Sequence, residues 1–391
     1  MKSVSKKVMT GLFAGAMGLS IFAPASQAAT PEQNEYYNIK LKANTYKIWD
    51  VDNASSDNDR VIRLWGGSTT EANRQFVFFP LDGGAYAIVN KNSGKPVTFG
   101  NGAWFSINGG SSILAGADIL QQQSWTGSAN QQWYLRDQGN NNYEIVNQGN
   151  GKVASYAWGG TLAQNWEYVD LDESKPYDSN NVFNIANSGS SISLPNLPAK
   201  GDRPNAPDYN QTGRIDQQLP QTSESVVIGA SLIPSIMVKD NSASDYTKIH
   251  NSPYYVLEKE EYWEKVRSEI VPAGGSSKYT VKRGVSTVDQ QKMTDTLNMK
   301  FGTDLGFKFG DTTASIKSEI SKTLQTEVSK TSTDATEETK EKGFSSTSGK
   351  DTGLTVYQLV TKYTLKRTDG STVSSSYVRD GDQTLERTIA K

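Results

Sequence analysis

The first half of the chain carries one pattern three times, and a repeat of this length restricts the fold more than any other feature of the sequence. The second copy reads Tyr86-Ala87-Ile88-Val89-Asn90 and then Ser93-Gly94-Lys95. The third reads Tyr143-Glu144-Ile145-Val146-Asn147 and then Asn150-Gly151-Lys152. A fainter first copy runs Tyr37-Asn38-Ile39 and then Tyr46-Lys47-Ile48. Each opens as an alternating strand and breaks at a turn, with Gly at that turn in the second and third copies. Each unit also closes alike: Asn73-Arg74-Gln75-Phe76, Asn130-Gln131-Gln132-Trp133 and Asn180-Asn181-Val182-Phe183, with Phe78, Leu135 and Ile185 two positions further on. Three hairpin lobes around a pseudo-threefold axis, each giving one aromatic to a shared core, satisfy this pattern. Burial of such a ring stabilises by roughly 2–3 kcal/mol.

The closing motif resembles that of the ricin-B-type β-trefoil lectins, over roughly residues 35–195. In that family a working lobe combines an Asp after the first hairpin strand, an aromatic platform on the next strand and an Asn in the closing motif. The chemistry suits a sugar: a carboxylate accepts two hydroxyl hydrogen bonds, and a ring stacks on the apolar face of a pyranose. The resemblance implies a site in lobe 1 made of Asp50, Trp65 and Asn73, with Arg74 where the family has Gln. Lobe 2 has Thr98 at the Asp position and Gln121, Gln122 and Gln123 in place of the platform, which reads as structural. Lobe 3 keeps Trp166 and Asn181 but has Ser155 for the Asp, a weaker candidate.

The amino terminus has a different character. Lys2, Lys6 and Lys7 precede an apolar stretch from Val8 to about Pro24, and small residues lead to a cleavage point after Ala28. Residues 1–28 are therefore expected to be a secretory signal peptide, the stretch being shorter than the ~20 residues of a spanning helix. The formal charge of −2 supplies no basic footprint for nucleic acid. With no cysteine there is neither a disulfide framework nor thiol chemistry. The single histidine, His250, is expected in a loop with a structural or surface role. No nucleophile elbow accompanies it, and no metal-ligand spacing occurs, so no catalytic residue, metal or cofactor is expected.

From Leu194 to Gln221 the repeat disappears among Pro195, Pro198, Pro204, Pro207 and Pro220, the mark of an interdomain connection. Beyond it, strands are expected over 226–238, 252–257 with 262–263 following, 355–367 and 374–379. The most informative stretch alternates apolar and polar residues: Leu297, Met299, Phe301, Leu305, Phe307 and Phe309 fall on one face. After a turn at 310–312, Ile316, Ile320, Leu324 and Val328 can continue the alternation as a second strand, and the same residues also fit a helix. A strand of this length can cross a bilayer, and only a closed barrel satisfies its backbone there, so several protomers would each contribute a hairpin.

The runs Ser231 to Val238 and Ser252 to Leu257, with Tyr262-Trp263, are similar to motifs of the insecticidal toxins of spore-forming bacilli, including binary mosquitocidal and rootworm-active types. That resemblance implies an all-β chain: a β-trefoil lectin head over 29–194, a Pro-rich linker over 195–221 and an elongated antiparallel, aerolysin-like pore-forming domain over 222–391. It further implies a secreted toxin that meets a cell-surface glycan or glycoprotein, forms a homo-oligomer and inserts 297–328 into target-membrane lipid, with a second toxin component in binary members. A lectin or adhesin without pore activity, and a carbohydrate-active enzyme carrying a trefoil module, are the rival readings.

Overall fold

The computed structural model describes residues 30–107, 110–161, 164–251 and 253–391. The expected signal peptide lies outside the described residues. Twelve strands build the head, four per lobe. Lobe 1 comprises β1 (Glu35–Leu41), β2 (Ile48–Val51), β3 (Arg60–Trp65) and β4 (Phe76–Pro80). Lobe 2 comprises β5 (Tyr86–Asn90), β6 (Val97–Ile107), β7 (Gly110–Gln122) and β8 (Trp133–Asp137). Lobe 3 comprises β9 (Asn142–Asn147), β10 (Val153–Thr161), β11 (Gln164–Asp172) and β12 (Phe183–Ser191). This is a β-trefoil, closed by β1 pairing with β12.

The repeated residues have repeated duties. Phe76, Trp133 and Phe183 are all fully buried in one core, and Trp49 meets Phe76 and Phe183 edge-on at centroid distances of 6.0 and 5.4 Å. Asn90 and Asn147 each donate Nδ2–H to the carbonyl of the closing motif's Asn, Asn73 at 3.0 Å and Asn130 at 2.9 Å. Their Oδ1 atoms accept backbone N–H groups of the following turn, where Gly94 and Gly151 take φ of +71° and +74°. A side chain at either glycine would be strained.

The body is a six-stranded antiparallel sheet formed by β13 (Val226–Pro234), β14 (Tyr254–Val271), β15 (Ser276–Val285), β18 (Glu338–Ser345), β19 (Thr352–Lys366) and β20 (Thr372–Ala390). Strands of 15 to 19 residues make it elongated. Between β15 and β18 lie α2 (Thr287–Leu297), β16 (Met299–Phe301), β17 (Phe307–Phe309) and α3 (Lys317–Leu324). His250 stands in a short helix, α1 (Asp245–Asn251), and not in a loop. Ser244 explains the difference: its Oγ accepts the Thr247 N–H at 3.1 Å, an N-cap that starts a turn of helix.

The Pro-rich segment after the head is a strap laid on the body sheet. Ala206, Tyr209 and Leu219 share a core with Trp263, Tyr357, Leu359 and Ile389. Trp263 Nε1–H donates to the Pro204 carbonyl at 2.8 Å, and Tyr357 donates its hydroxyl to that of Pro220 at 2.6 Å. Prolines lack the N–H that a sheet edge requires, so they contribute carbonyls only, while Gly201 of the strap donates its N–H to the Val227 carbonyl at 2.8 Å.

Head and body share one core. Strand β4 shows how: Phe76 and Phe78 face the trefoil interior, while Val77 and Phe79 face the body and join a cluster with Tyr254, Leu257, Phe301 and Ile320. Phe79 meets Tyr254 edge-on at 5.1 Å. The alternation of a strand thus serves two interiors at once.

Candidate functional site

In lobe 1, hairpin pairing sets Asp50 on β2 against Arg63 on β3, with Trp65 two residues further along the same face. A 3-10 turn at Ala72–Arg74 brings up the closing motif. Asn73 donates Nδ2–H to Asp50 Oδ1 at 3.1 Å and to the Val51 carbonyl at 3.2 Å. Arg74 donates Nε–H to Asp50 Oδ2 at 2.6 Å, and its Nη1 reaches the Ser68 carbonyl at 3.0 Å. Asp50, Asn53, Arg63, Trp65, Asn73 and Arg74 line a shallow depression of 380 Å³.

The carboxylate is fixed on both oxygens yet keeps lone pairs for further donors. Burial pushes the Asp50 carboxyl up from its ordinary range; the hydrogen bond and charge of Arg74, and then the charge of Arg63, oppose that rise. Trp65 is 50% exposed, a high value for so large a ring. The Arg63 guanidinium lies 4.3 Å from the Trp65 centroid and 4.4 Å from that of Trp166, and it donates to Asp52 Oδ1 at 2.6 Å. Trp65 is thus a platform braced by a cation that is itself braced by a carboxylate.

The six candidates from the sequence separate here. Asp50, Trp65, Asn73 and Arg74 line one depression. Trp166 packs 4.7 Å from Phe105 in a small hairpin core and reaches the lobe 1 site only through Arg63. Asn181 is 1% exposed and donates its Nδ2–H to the Glu173 carbonyl, while Ser155 is turned to the Tyr156 carbonyl. In lobe 2, Thr98 donates to the Asn130 carbonyl, and Gln122 spends its amide on the carbonyls of Ser55 and Asp57. Arg63 and Asn53 were not singled out from sequence. Arg63 was within reach, since it stands two residues before Trp65 and so shares its face.

The apolar alternation of the body has a different geometry from the long two-strand hairpin expected. Leu297 ends α2, capped by Asn298 in the left-handed region. The expected first strand is instead a small hairpin on its own, Met299 pairing with Phe309 and Phe301 with Phe307, with Leu305 in the turn at φ +62°. The expected second strand is a helix, α3, so of the two periods that fit residues 316–324 the helical one is adopted. Its apolar residues recur every fourth position, a spacing that keeps them on one face of a helix as it would of a strand, and all of them face one core. Met299, Phe301, Phe307, Ile316, Ile320 and Leu324 are buried there, Leu305 and Phe309 pack on it partly, and Val328 is exposed. Phe301 and Phe307 each lie 5.2 Å from Tyr363 of β19.

The head holds this segment directly. Asp82, in the turn after β4, accepts the Ser318 N–H at 2.9 Å and so caps α3, which has no side-chain cap of its own. Trp125 donates Nε1–H to the Thr312 carbonyl at 2.8 Å. Gly127, at φ +82°, lets the Asp311 carbonyl approach to 2.0 Å from where a Cβ would stand.

Comparison with known proteins gives the same two-part division. The family described as "Insecticidal Crystal Toxin, P42" matches residues 226–381, and the ricin-type β-trefoil lectin domain-like family matches 27–106 and 72–165. The binary larvicide subunit BinA of Lysinibacillus sphaericus is 29% identical over 311 residues, 78% of this chain and 77% of its own length. The insecticidal crystal protein Cry35Ab1 of Bacillus thuringiensis is 28% identical over 180 residues, 45% of this chain and 44% of its own. The crystal structure of Cry35Ab1 superposes with a TM-score of 0.74 at 20% identity, over 91% of this chain and 90% of that one.

Proposed function

We propose that this chain, which belongs to the family of binary insecticidal toxins, binds a cell-surface glycan through lobe 1 of its head and opens a pore with its body. The observation that carries the reading is the lobe 1 depression. It alone, among the three lobes as described, leaves its carboxylate, platform and amide facing one open space. A sugar ring would lie on Trp65 and give two hydroxyl hydrogens to Asp50, while Arg74 and Asn73 hold that carboxylate in place. The relative BinA is named a subunit of a binary larvicide, which supports a second component for this chain also.

No helix among the described residues is long and apolar enough to cross a membrane. Passage by strands therefore carries the pore reading, with protomers completing one barrel between them. β15 and β18 pair side by side and flank the buried segment from Thr287 to Leu324. Extending these strands through that segment requires α3 to leave the head, where Asp82 caps it, and Phe301 and Phe307 to leave Tyr363.

Two variants test the halves separately. Asp50→Ala with Trp65→Ala is expected to abolish binding on a glycan array while the thermal transition stays near that of the parent. Retained binding would place the sugar elsewhere. In a chain without cysteine, Asp82→Cys with Ser318→Cys supplies one disulfide between head and α3. The oxidised protein is expected to bind glycan but release no dye from susceptible cells, and reduction is expected to restore release. Undiminished release from the oxidised form would show that α3 stays docked in the pore.

A further inference from the structure

The three hairpins at one end of the head differ in length and in charge. The β2–β3 hairpin is short, with strands of four and six residues, and Asp52, Asp57 and Asp59 lie in its turn. The β6–β7 hairpin has strands of 11 and 13 residues, and the β10–β11 hairpin has two of 9. Both long hairpins lose charge toward their ends. No charged residue occurs from Pro96 to Ala117, nor from Val153 to Trp166, in a chain that is 21% charged. The first charges on the return strands are Asp118 and Glu167, and each is paired with a lysine, Lys152 and Lys47.

These neutral hairpins display large apolar side chains. Trp104 and Ile113 are direct cross-strand partners, 42% and 56% exposed, and Trp158 is 60% exposed. The opposite faces are packed: Ala103 and Phe105 lie in a core of their own, with Leu114, Trp166 and Tyr168 against it. The hairpins are thus rigid supports, and the exposed residues are those left on the outside by alternation.

We propose that the face of the β6–β7 and β10–β11 hairpins that carries Trp104, Ile113 and Trp158 forms a lipid anchor that seats the head in the interfacial layer of a neutral phospholipid bilayer. Its nearest charges, Glu167 opposite Trp158 and Arg60 beside Trp104, are spent in ion pairs, with Lys47 and with Asp52 and Asp57. Exposed tryptophans whose charged neighbours are neutralised in ion pairs fit the boundary between headgroups and acyl chains, where the ring is apolar and its N–H stays wet. Charge neutrality removes the cost of bringing an ion against hydrocarbon, and the lysine pairs at the hairpin bases offset the nearest acids. β3, which carries Trp65, pairs with these hairpins at Arg60–Trp104 and at Arg63–Tyr168. Glycan site and lipid anchor would therefore engage one membrane together, and two weak contacts on one rigid body reinforce each other.

The test uses the full mature chain and phosphatidylcholine vesicles free of glycolipid, so lobe 1 plays no part. Flotation is expected to recover the parent protein with vesicles, with tryptophan fluorescence quenched by brominated acyl chains. Trp104→Ser, Ile113→Ser and Trp158→Ser combined are expected to lower the partition by about tenfold or more, and to remove quenching. Glycan-array binding and the thermal transition are expected to stay as in the parent, since the three side chains are exposed. Three results would overturn the proposal: no parent binding to these vesicles, equal binding by the triple variant, or a triple variant that loses glycan or a protein partner while keeping the vesicles. Loss of glycan binding in Asp50→Ala alone leaves the anchor standing, so the two readings fail separately.

Discussion

The head hairpins and the β16–β17 hairpin of the body have the same kind of sequence and opposite fates. Both alternate apolar and polar residues, and both carry large aromatic rings. In the head, Trp104, Ile113 and Trp158 stand in solvent. In the body, Phe301 and Phe307 are fully buried. Alternation defines a face; whether that face is shown or hidden depends on what the rest of the chain sets against it. The body supplies Tyr363 on β19, Met293 on α2 and, from the head, Phe79 and Val77. Among the described residues, no comparable apolar layer covers Trp104, Ile113 and Trp158.

The sharpest break of this comparison is the removal of a buried ring. Phe307→Ala is expected to destabilise the soluble protein by about 3–5 kcal/mol, since it removes contacts and leaves a cavity between two domains. Urea denaturation followed by far-UV signal measures this, and a loss under 1 kcal/mol would mean the segment is loosely held. The same burial limits an obvious pore test. Asp at Phe301 or Phe307 would place an unpaired carboxylate in this core, so lost dye release would report misfolding as readily as failed insertion. The disulfide between Asp82→Cys and Ser318→Cys leaves the core intact and is the better probe.

A smaller effect concerns charge at the base of the head hairpins. Asp170 on β11 has its carboxyl pushed up to about 6, first by burial and then by the charge of Asp172, with Asp118 adding and Lys152 opposing. Its folded pKa exceeds the unfolded value, so the folded state binds the proton more tightly. Below about pH 4 both states are protonated and there is no penalty. Stability is lost as the pH rises from about 4 to 6, and the full penalty applies above that. Asp170→Asn is therefore expected to raise stability at pH 7.5 by on the order of 1–2 kcal/mol, with the gain vanishing near pH 4. Thermal unfolding at the two pH values checks this, and an equal gain at both would mean the carboxyl is not the cause.

The same contrast explains what could be read from sequence. The trefoil was legible because its core is built three times, so Phe76, Trp133 and Phe183 vouch for one another. The proposed lobe 1 site rests on a carboxylate and a platform that the β2–β3 hairpin sets on one face, and on an amide that the repeated closing motif supplies, so its pattern is visible in the sequence. Trp166 was placed in lobe 3 because the repeat assigns it there, whereas packing against Phe105 and Arg63 turns it to the back of lobe 1. The body segment was legible only as apolar on one face. Ile316, Ile320 and Leu324 suit a strand or a helix equally, and the choice came from distant residues: Asp82 to cap the helix and a core spanning both domains to receive it. No local pattern contains that information.

The smallest expected effect is the most informative about the head. Trp104→Ser removes a ring as large as any in the core, yet the residue is 42% exposed, with Ile113 opposite it on β7 and Arg60 beside it on β3. Loss of that cross-strand pair costs a few tenths of a kcal/mol, and an exposed strand position tolerates Ser. The stability change is therefore expected to stay within about 0.5 kcal/mol, roughly a tenth of that for Phe307→Ala. Parallel urea titrations of the two variants measure the ratio. A loss near 2 kcal/mol for Trp104→Ser would mean the ring is part of the hairpin's own packing, and the outer face would then need no membrane to account for it. A neutral result leaves a large apolar ring with no role in the folded protein, which is the condition for a surface kept for something outside it.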